Sequence, residues 1–152
     1  MKIISHRGFL TEVHEKNSEV AFKRSFENGF GLETDIRDYK GELVISHDIP
    51  EGGCLPFQRL LEIHRDLNST LLLALNIKSD GLHGAIGELL KKYNVTNCFV
   101  FDMSVPDMLG YLKSHLAVFS RHSEYENKPV FYDQVTGIWL DSFENEWWGE
   151  ET

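Results

Sequence analysis

The chain has 152 residues, one domain's worth, and its 41% hydrophobic content with ten Phe and three Trp is enough for a packed core, which excludes a disordered chain. A formal net charge of −9 without any run of Lys or Arg argues against a nucleic-acid partner, so any anionic substrate must be held by a few local cations or a metal. Cys54 and Cys98 lack the spacing of a zinc site or a disulfide framework and read as reduced, buried thiols.

In chain order, short apolar runs alternate with segments of helical period, the pattern of repeated βα units around a mostly parallel sheet. The first strand is expected over Lys2–Ser5. A helix then runs from an Asn17 or Ser18 cap through Ala21, Phe22, Ser25 and Phe26 to a stop at Gly29. Strands follow over Leu32–Arg37 and Glu42–Ser46, and Tyr39-Lys40-Gly41-Glu42 between them reads as a turn, making either a hairpin or one bent strand. Phe57, Leu60 and Leu61 suggest a further, shorter helix, and Leu71–Ile77 is apolar almost throughout, as expected of a central strand buried on both faces. The stripe Leu82, Ile86, Leu89, Leu90 and Tyr93 makes another helix, ended by Asn94, before a strand over Cys98–Phe101. Ser104-Val105-Pro106-Asp107 opens the next helix with a cap, an early proline and an acid, and Met108, Leu109 and Leu112 are expected to face inward. Strands over Ala117–Ser120 and Gly137–Leu140 complete the set. The tail carries Glu144, Glu146, Glu150 and Glu151 around Trp147-Trp148, an acidic surface end with a packed aromatic pair. No apolar stretch approaches the ~20 residues of a membrane span, and Lys2, His6 and Arg7 interrupt the N-terminus before a run of signal-peptide length, so a cytoplasmic protein is expected.

Polar residues gather where these apolar segments end. Glu33 and Asp35 are two apart on one expected strand, so their carboxylates leave the same face. Such a pair suits a hard divalent ion, Mg²⁺ or Ca²⁺; taken alone it would equally describe solvated acids on an edge strand. His6 and His47 each follow an apolar run, at the strand ends where parallel α/β architectures build their chemistry. One imidazole can take a proton while the other gives one, the division of labour that displacement at phosphorus or an acyl centre requires. Arg7 offers a fork of donors matched to phosphate oxygens, and Gly8 allows close backbone approach. Lys78 at the mouth of the buried strand suggests an anion site, and Asn76 could lend its amide oxygen to a metal or bond a loop. Asp102, Arg121 and Asp141 close later runs in the same manner, as catalytic groups or as structural ion pairs and caps.

His6-Arg7-Gly8, Asn17-Ser18 with Ala21-Phe22, Gly31-Leu32-Glu33-Thr34-Asp35 and Gly41 through Asp48 together resemble the signature of glycerophosphodiester phosphodiesterases, in order and spacing over residues 3–48. The resemblance implies a TIM-barrel-like α/β fold and metal-dependent hydrolysis of a small phosphodiester, with a place in lipid metabolism. It makes His6 and His47 the catalytic acid–base pair, Glu33 and Asp35 the ligands of a metal, Mg²⁺ or Ca²⁺, and Arg7 and Lys78 the phosphate contacts; Asn76 is added as a metal ligand and Arg121 as a substrate contact from their places at strand ends. Asn76 stands where the family's third carboxylate is expected, which should weaken cation binding or change the preferred ion, and Lys16 replaces a family Glu before Asn17. The length allows about six βα units, so residues 1–152 are expected to form a single domain of this kind, truncated at the C-terminal end. Such an incomplete barrel has an open edge that a homo-oligomer could cover. The competing expectation is a catalytically inactive relative that keeps the barrel-derived scaffold as a binding or assembly module.

Overall fold

The computed structural model describes residues 1–145 and 147–149. Eight strands and four helices follow in order: β1 (Ile4–His6), α1 (Glu19–Glu27), β2 (Gly31–Tyr39), β3 (Glu42–Ile45), β4 (Leu55–Pro56), α2 (Phe57–Asn68), β5 (Leu73–Ile77), α3 (His83–Lys92), β6 (Cys98–Phe101), α4 (Val105–Lys113), β7 (Phe119–His122) and β8 (Gly137–Leu140). A 3₁₀ turn at Val13–Glu15 precedes α1. Parallel ladders join β1 to β2, β2 to β5 and β5 to β6. A bridge from Val100 to Val118 and the bond from Val100 N to Ala117 O carry the sheet on to β7, which pairs in parallel with β8.

β2 organises the molecule because it is nine residues long and serves two partners on one edge. Its first half pairs with β1; its second half folds back on β3 as an antiparallel hairpin, settling the turn at Lys40-Gly41, where both residues adopt positive φ, 52° and 86°. β4, which pairs with β3 through Pro56 and Leu55, has too short and proline-bound a sequence to announce itself.

α1 buries Ala21, Phe22, Ser25 and Phe26, the stripe its sequence lays out, and its cap is Ser18, whose hydroxyl accepts from Ala21 N. α2 spans twelve residues and is the longest of the four helices, not a short one. Its apolar face continues to Ile63 and His64, a buried imidazole that meets Leu71 O at 2.8 Å through Nε2. In α4 the expected inward residue Leu109 is 42% exposed, while Tyr111 is fully buried beside Met108. Met108 and Tyr111 are three apart and share a helix face; Leu109 is turned 100° from Met108. Cys54 and Cys98 are free thiols as expected but only half-buried, and burial lifts the Cys98 thiol to about 11. Of the acidic tail, Trp147 and Trp148 pack edge to face at 5.7 Å, whereas Glu146, Glu150 and Glu151 lie outside the described residues.

The sheet has a core on each face. Outside it, the helices press Phe22, Phe26, Leu60, Leu61, Ile86 and Tyr111 onto Leu32, Ile36, Leu73, Leu75, Ile77 and Val100. Inside it, Ala74, Phe99 and Phe101 are buried, with Ile4, Leu72, Ala117, Phe119 and Trp139 packed against them. Among the described residues no helix is long and apolar enough to cross a membrane.

Candidate active site

The register of the parallel strands builds the site. His6 lies opposite Glu33, Glu33 opposite Ala74 and Ala74 opposite Phe99, forming one row across the inner face; the next row up that face is Asp35, Asn76 and Phe101. Glu33 and Asp35 are therefore central and buried, at 3% and 0% exposure, and the edge-strand alternative for the acidic pair falls away.

Each carboxylate is held differently. Arg7 N donates to Glu33 Oε2 at 3.2 Å, and His6 turns Nε2 to within 3.7 Å of the same oxygen while 72% of its side chain stays open to solvent. Asp35 Oδ2 accepts from Asn17 Nδ2 at 2.8 Å and lies 3.0 Å from Arg7 Nε, at an angle too bent for a hydrogen bond. Asp35 Oδ1 has no hydrogen bond; Lys78 Nζ stands 3.7 Å away as its ion-pair partner. Asn76 Oδ1, on the neighbouring strand in register with Asp35, is also buried and unbonded. A buried carboxylate oxygen held by an ion pair alone, in register with a buried amide oxygen that has no hydrogen bond, leaves bonding capacity unused at a cost.

Burial is the main cause of a raised Glu33 pKa, reinforced by the Asp35 charge and opposed by the Arg7 N–H and the cations Arg7 and Lys78, and carries it to about 7. His6 is shifted the other way: desolvation, then Arg7, and more weakly Lys16 and His47, push its pKa below the ordinary value against the pull of Asp35. A lowered pKa favours the neutral form of His6, which can accept a proton. His47 reaches this place because Ser46 N bonds Asp35 O at 3.1 Å, just past the paired end of β3; its Nδ1 meets Asp48 Oδ1 at 2.8 Å.

The structure brings His6, Arg7, Glu33, Asp35, Asn76 and Lys78 together, and the Ser46 N–Asp35 O bond returns the chain to them one residue before His47. It sets Arg121 apart: Arg121 Nη1 pairs with Asp102 Oδ1 and Nε with Glu126 Oε2, while Asp102 Oδ2 bonds Lys78 Nζ at 3.2 Å. Two further residues belong to this network. Asn17, read as a possible cap, instead bridges Asp35 and the Thr34 hydroxyl, which donates to Asn17 Oδ1 at 2.9 Å, from a backbone at a left-handed φ of 58°. Asp102 was one of three strand-end charges read as catalytic groups or as structural ion pairs and caps, and it pairs with Lys78 and Arg121. A concavity of about 620 Å³ lies elsewhere, between α2 and α3, and contains none of these groups.

The donors fit a hard cation. Two carboxylates and an amide oxygen make an all-oxygen donor set of the kind a hard divalent cation takes, with Asp35 and Asn76 in register on neighbouring strands. Among the described residues no three His, Cys, Asp or Glu side chains converge as metal ligands, so the third ligand of such a set would have to be the Asn76 amide.

No family model matches this sequence, and no curated protein is similar to it. Solved structures are. A protein of Galdieria sulphuraria assigned as a glycerophosphodiester phosphodiesterase superposes with a TM-score of 0.73 at 19% identity, over 91% of this chain and 74% of its own. The glycerophosphodiester phosphodiesterase of Agrobacterium tumefaciens gives 0.66 at 17% identity, covering 80% and 67% of the two chains. That of Thermotoga maritima gives 0.62 at 21% identity, covering 83% of this chain and 64% of the other. The chain is therefore built on the TIM-barrel-like α/β fold of the glycerophosphodiester phosphodiesterases.

Proposed function

We propose that this chain is a phosphoric diester hydrolase acting, with a divalent cation, on a small phosphodiester of the glycerophosphodiester kind. The observation that carries the reading is the pair of unbonded, buried oxygens on Asp35 and Asn76, in register beside buried Glu33 and flanked by Arg7, Lys78 and His6. Glu33, Asp35 and Asn76 would hold Mg²⁺ or Ca²⁺, whose charge would offset the negative charge that gathers on the phosphoryl oxygens during displacement. Arg7 and Lys78 bind and orient the phosphate, their charges already directed to this face by Asp35. His6, kept neutral by desolvation and its cationic neighbours, accepts the proton of the attacking hydroxyl; His47, backed by Asp48, donates one to the departing alkoxide. On this reading the six parallel strands β1, β2, β5, β6, β7 and β8 make an incomplete barrel whose inner face carries the reaction.

One observation favours a second reading, a phosphate-binding module without turnover: Arg7 and Lys78 already offset the charge of Asp35 without any metal. A chromogenic phosphodiester assay separates the two. Turnover that needs Mg²⁺ or Ca²⁺, stops with EDTA, and falls at least about 100-fold in folded His6→Ala and His47→Ala variants supports the hydrolase. Metal-independent binding of a phosphodiester with no turnover supports the module.

A further inference from the structure

Asp102 directly follows β6, at a left-handed φ of 70°, a conformation that Asp tolerates better than most side chains. Each of its oxygens is taken by a cation: Oδ2 by Lys78 Nζ at 3.2 Å, Oδ1 by Arg121 Nη1. Arg121 is itself anchored through Nε to Glu126. Lys78 therefore has two acidic neighbours. It sits nearer to Asp102 than to Asp35 Oδ1, at 3.7 Å, the same oxygen that has no hydrogen bond. The side chains of Lys78, Asp102 and Asp35 are 18%, 16% and 0% exposed, so solvent screens this competition weakly.

We infer that Asp102 is a positioning residue: it holds the Lys78 ammonium back from Asp35, keeping Asp35 Oδ1 open for a cation, and Arg121 braces it in that role instead of binding substrate. This rests on the proposed reading of Glu33, Asp35 and Asn76 as a cation-binding set. The physical step is simple. An ammonium and a divalent ion cannot share one carboxylate oxygen without repelling each other, so whatever sets the position of Lys78 sets the affinity for the ion. If Asp102 loses its charge, the remaining carboxylate partner of Lys78 is Asp35, and the ammonium closes onto Asp35 Oδ1.

The test is to titrate wild type, Asp102→Asn, Lys78→Met and the double variant with Mg²⁺ and with Ca²⁺, following heat release and melting temperature. Asp102→Asn should lose about tenfold or more in cation affinity although it touches no ligand position, and adding Lys78→Met should restore it to the level of Lys78→Met alone. Wild-type affinity in Asp102→Asn, or a double variant as weak as Asp102→Asn, overturns the inference. Arg121→Gln leaves Asp102 charged but unbraced and should cost about threefold; if Asp102→Asn does not fold, an unchanged affinity in Arg121→Gln overturns the inference instead. Should wild type take up neither ion, the cation-assisted hydrolase reading fails. A crystal structure of whichever of these two variants folds then decides the positioning role: Lys78 Nζ drawn into direct hydrogen-bond contact with Asp35 Oδ1 sustains it, and Nζ left in place overturns it.

Discussion

Glu33 is a buried carboxyl whose pKa desolvation raises from 4.5 to about 7, so the folded chain binds a proton there that the unfolded chain has released. The native state therefore holds more protons between these two values, and stability must fall as pH rises through that window, reaching its low plateau above about pH 7. A rise of this size corresponds to about 3 kcal/mol. Urea unfolding of the metal-free protein should show that loss between pH 4.5 and pH 8, and Glu33→Gln, which cannot ionise, should be more stable than wild type at pH 8 and show no such slope. Saturating Mg²⁺ or Ca²⁺ should reverse the trend in wild type, because a cation needs the ionised form that burial disfavours. A flat profile in wild type would mean that water reaches Glu33 freely. The residue was legible because strand alternation put Glu33 and Asp35 on one face whatever the partner strands were; its burial was not, because that depends on β1 and β5 flanking β2. Arg121, expected as a substrate contact, pairs with Asp102 and Glu126, and a cation at a strand end looks the same in sequence whether a substrate or Asp102 neutralises it.

Within the elements, the β1–α1 connection fixes where Arg7 goes. Gly8 has a φ of +103°, and a Cβ there would come within 2.5 Å of Ala21 Cβ, so the loop lies directly on the first turn of α1. Arg7 N and Asn17 N tie the same loop, to Glu33 O at 3.0 Å and to Arg7 O at 2.9 Å. Gly8→Ala must either strain this backbone or lift the loop off the helix, and should cost about 2 kcal/mol or more by thermal unfolding while weakening phosphate binding through Arg7. The pair in α4 makes the contrasting case. Tyr111→Ala empties a fully buried site and should cost about 3 kcal/mol or more, whereas Leu109→Ala at 42% exposure should stay within about 1 kcal/mol; equal losses would mean the helix is rotated. Element bounds were readable to within a residue or two where caps and periodicity agree, as at Ser18 and Ser104, both of which cap through their hydroxyls. Helix faces were less so. Val105-Pro106-Asp107-Met108-Leu109-Gly110-Tyr111-Leu112 offers two overlapping apolar stripes, and the choice fell to the ring of His83, which packs over Gly110 and lies edge to face with Tyr111 at 5.8 Å.

At the scale of the molecule, one sheet separates two unequal cores. The outer one is broad and covered by helices. The inner one is a thin aromatic layer: Phe99 stacks on Phe119 at 3.9 Å, Phe101 stacks on Trp139 at 4.1 Å, and the Phe119 ring lies where any side chain on Gly137 would have to go, 2.6 Å from its Cβ position. The bounds of β8 were plain in Gly137-Ile138-Trp139-Leu140, but three consecutive apolar residues give no alternation from which to choose an inner face. The choice is visible only once Phe101 and Phe119 are placed opposite. Phe101 is also the register partner of Asn76, so this layer is the wall against which the proposed cation site rests. Trp139 is thus tied to both stability and function. Trp139→Ala should cost about 2 kcal/mol, less than a fully buried aromatic because Trp139 is half-exposed, and should weaken cation binding by loosening Phe101 beside Asn76; Trp139→Phe, which can keep the stack, should lose far less of either. Denaturant unfolding and a Mg²⁺ or Ca²⁺ titration of the two variants check this together. If Trp139→Ala lost stability while binding the ion as wild type does, the aromatic layer would be packing alone, and the site would be held from the β1, β2 and β5 side of the sheet without it.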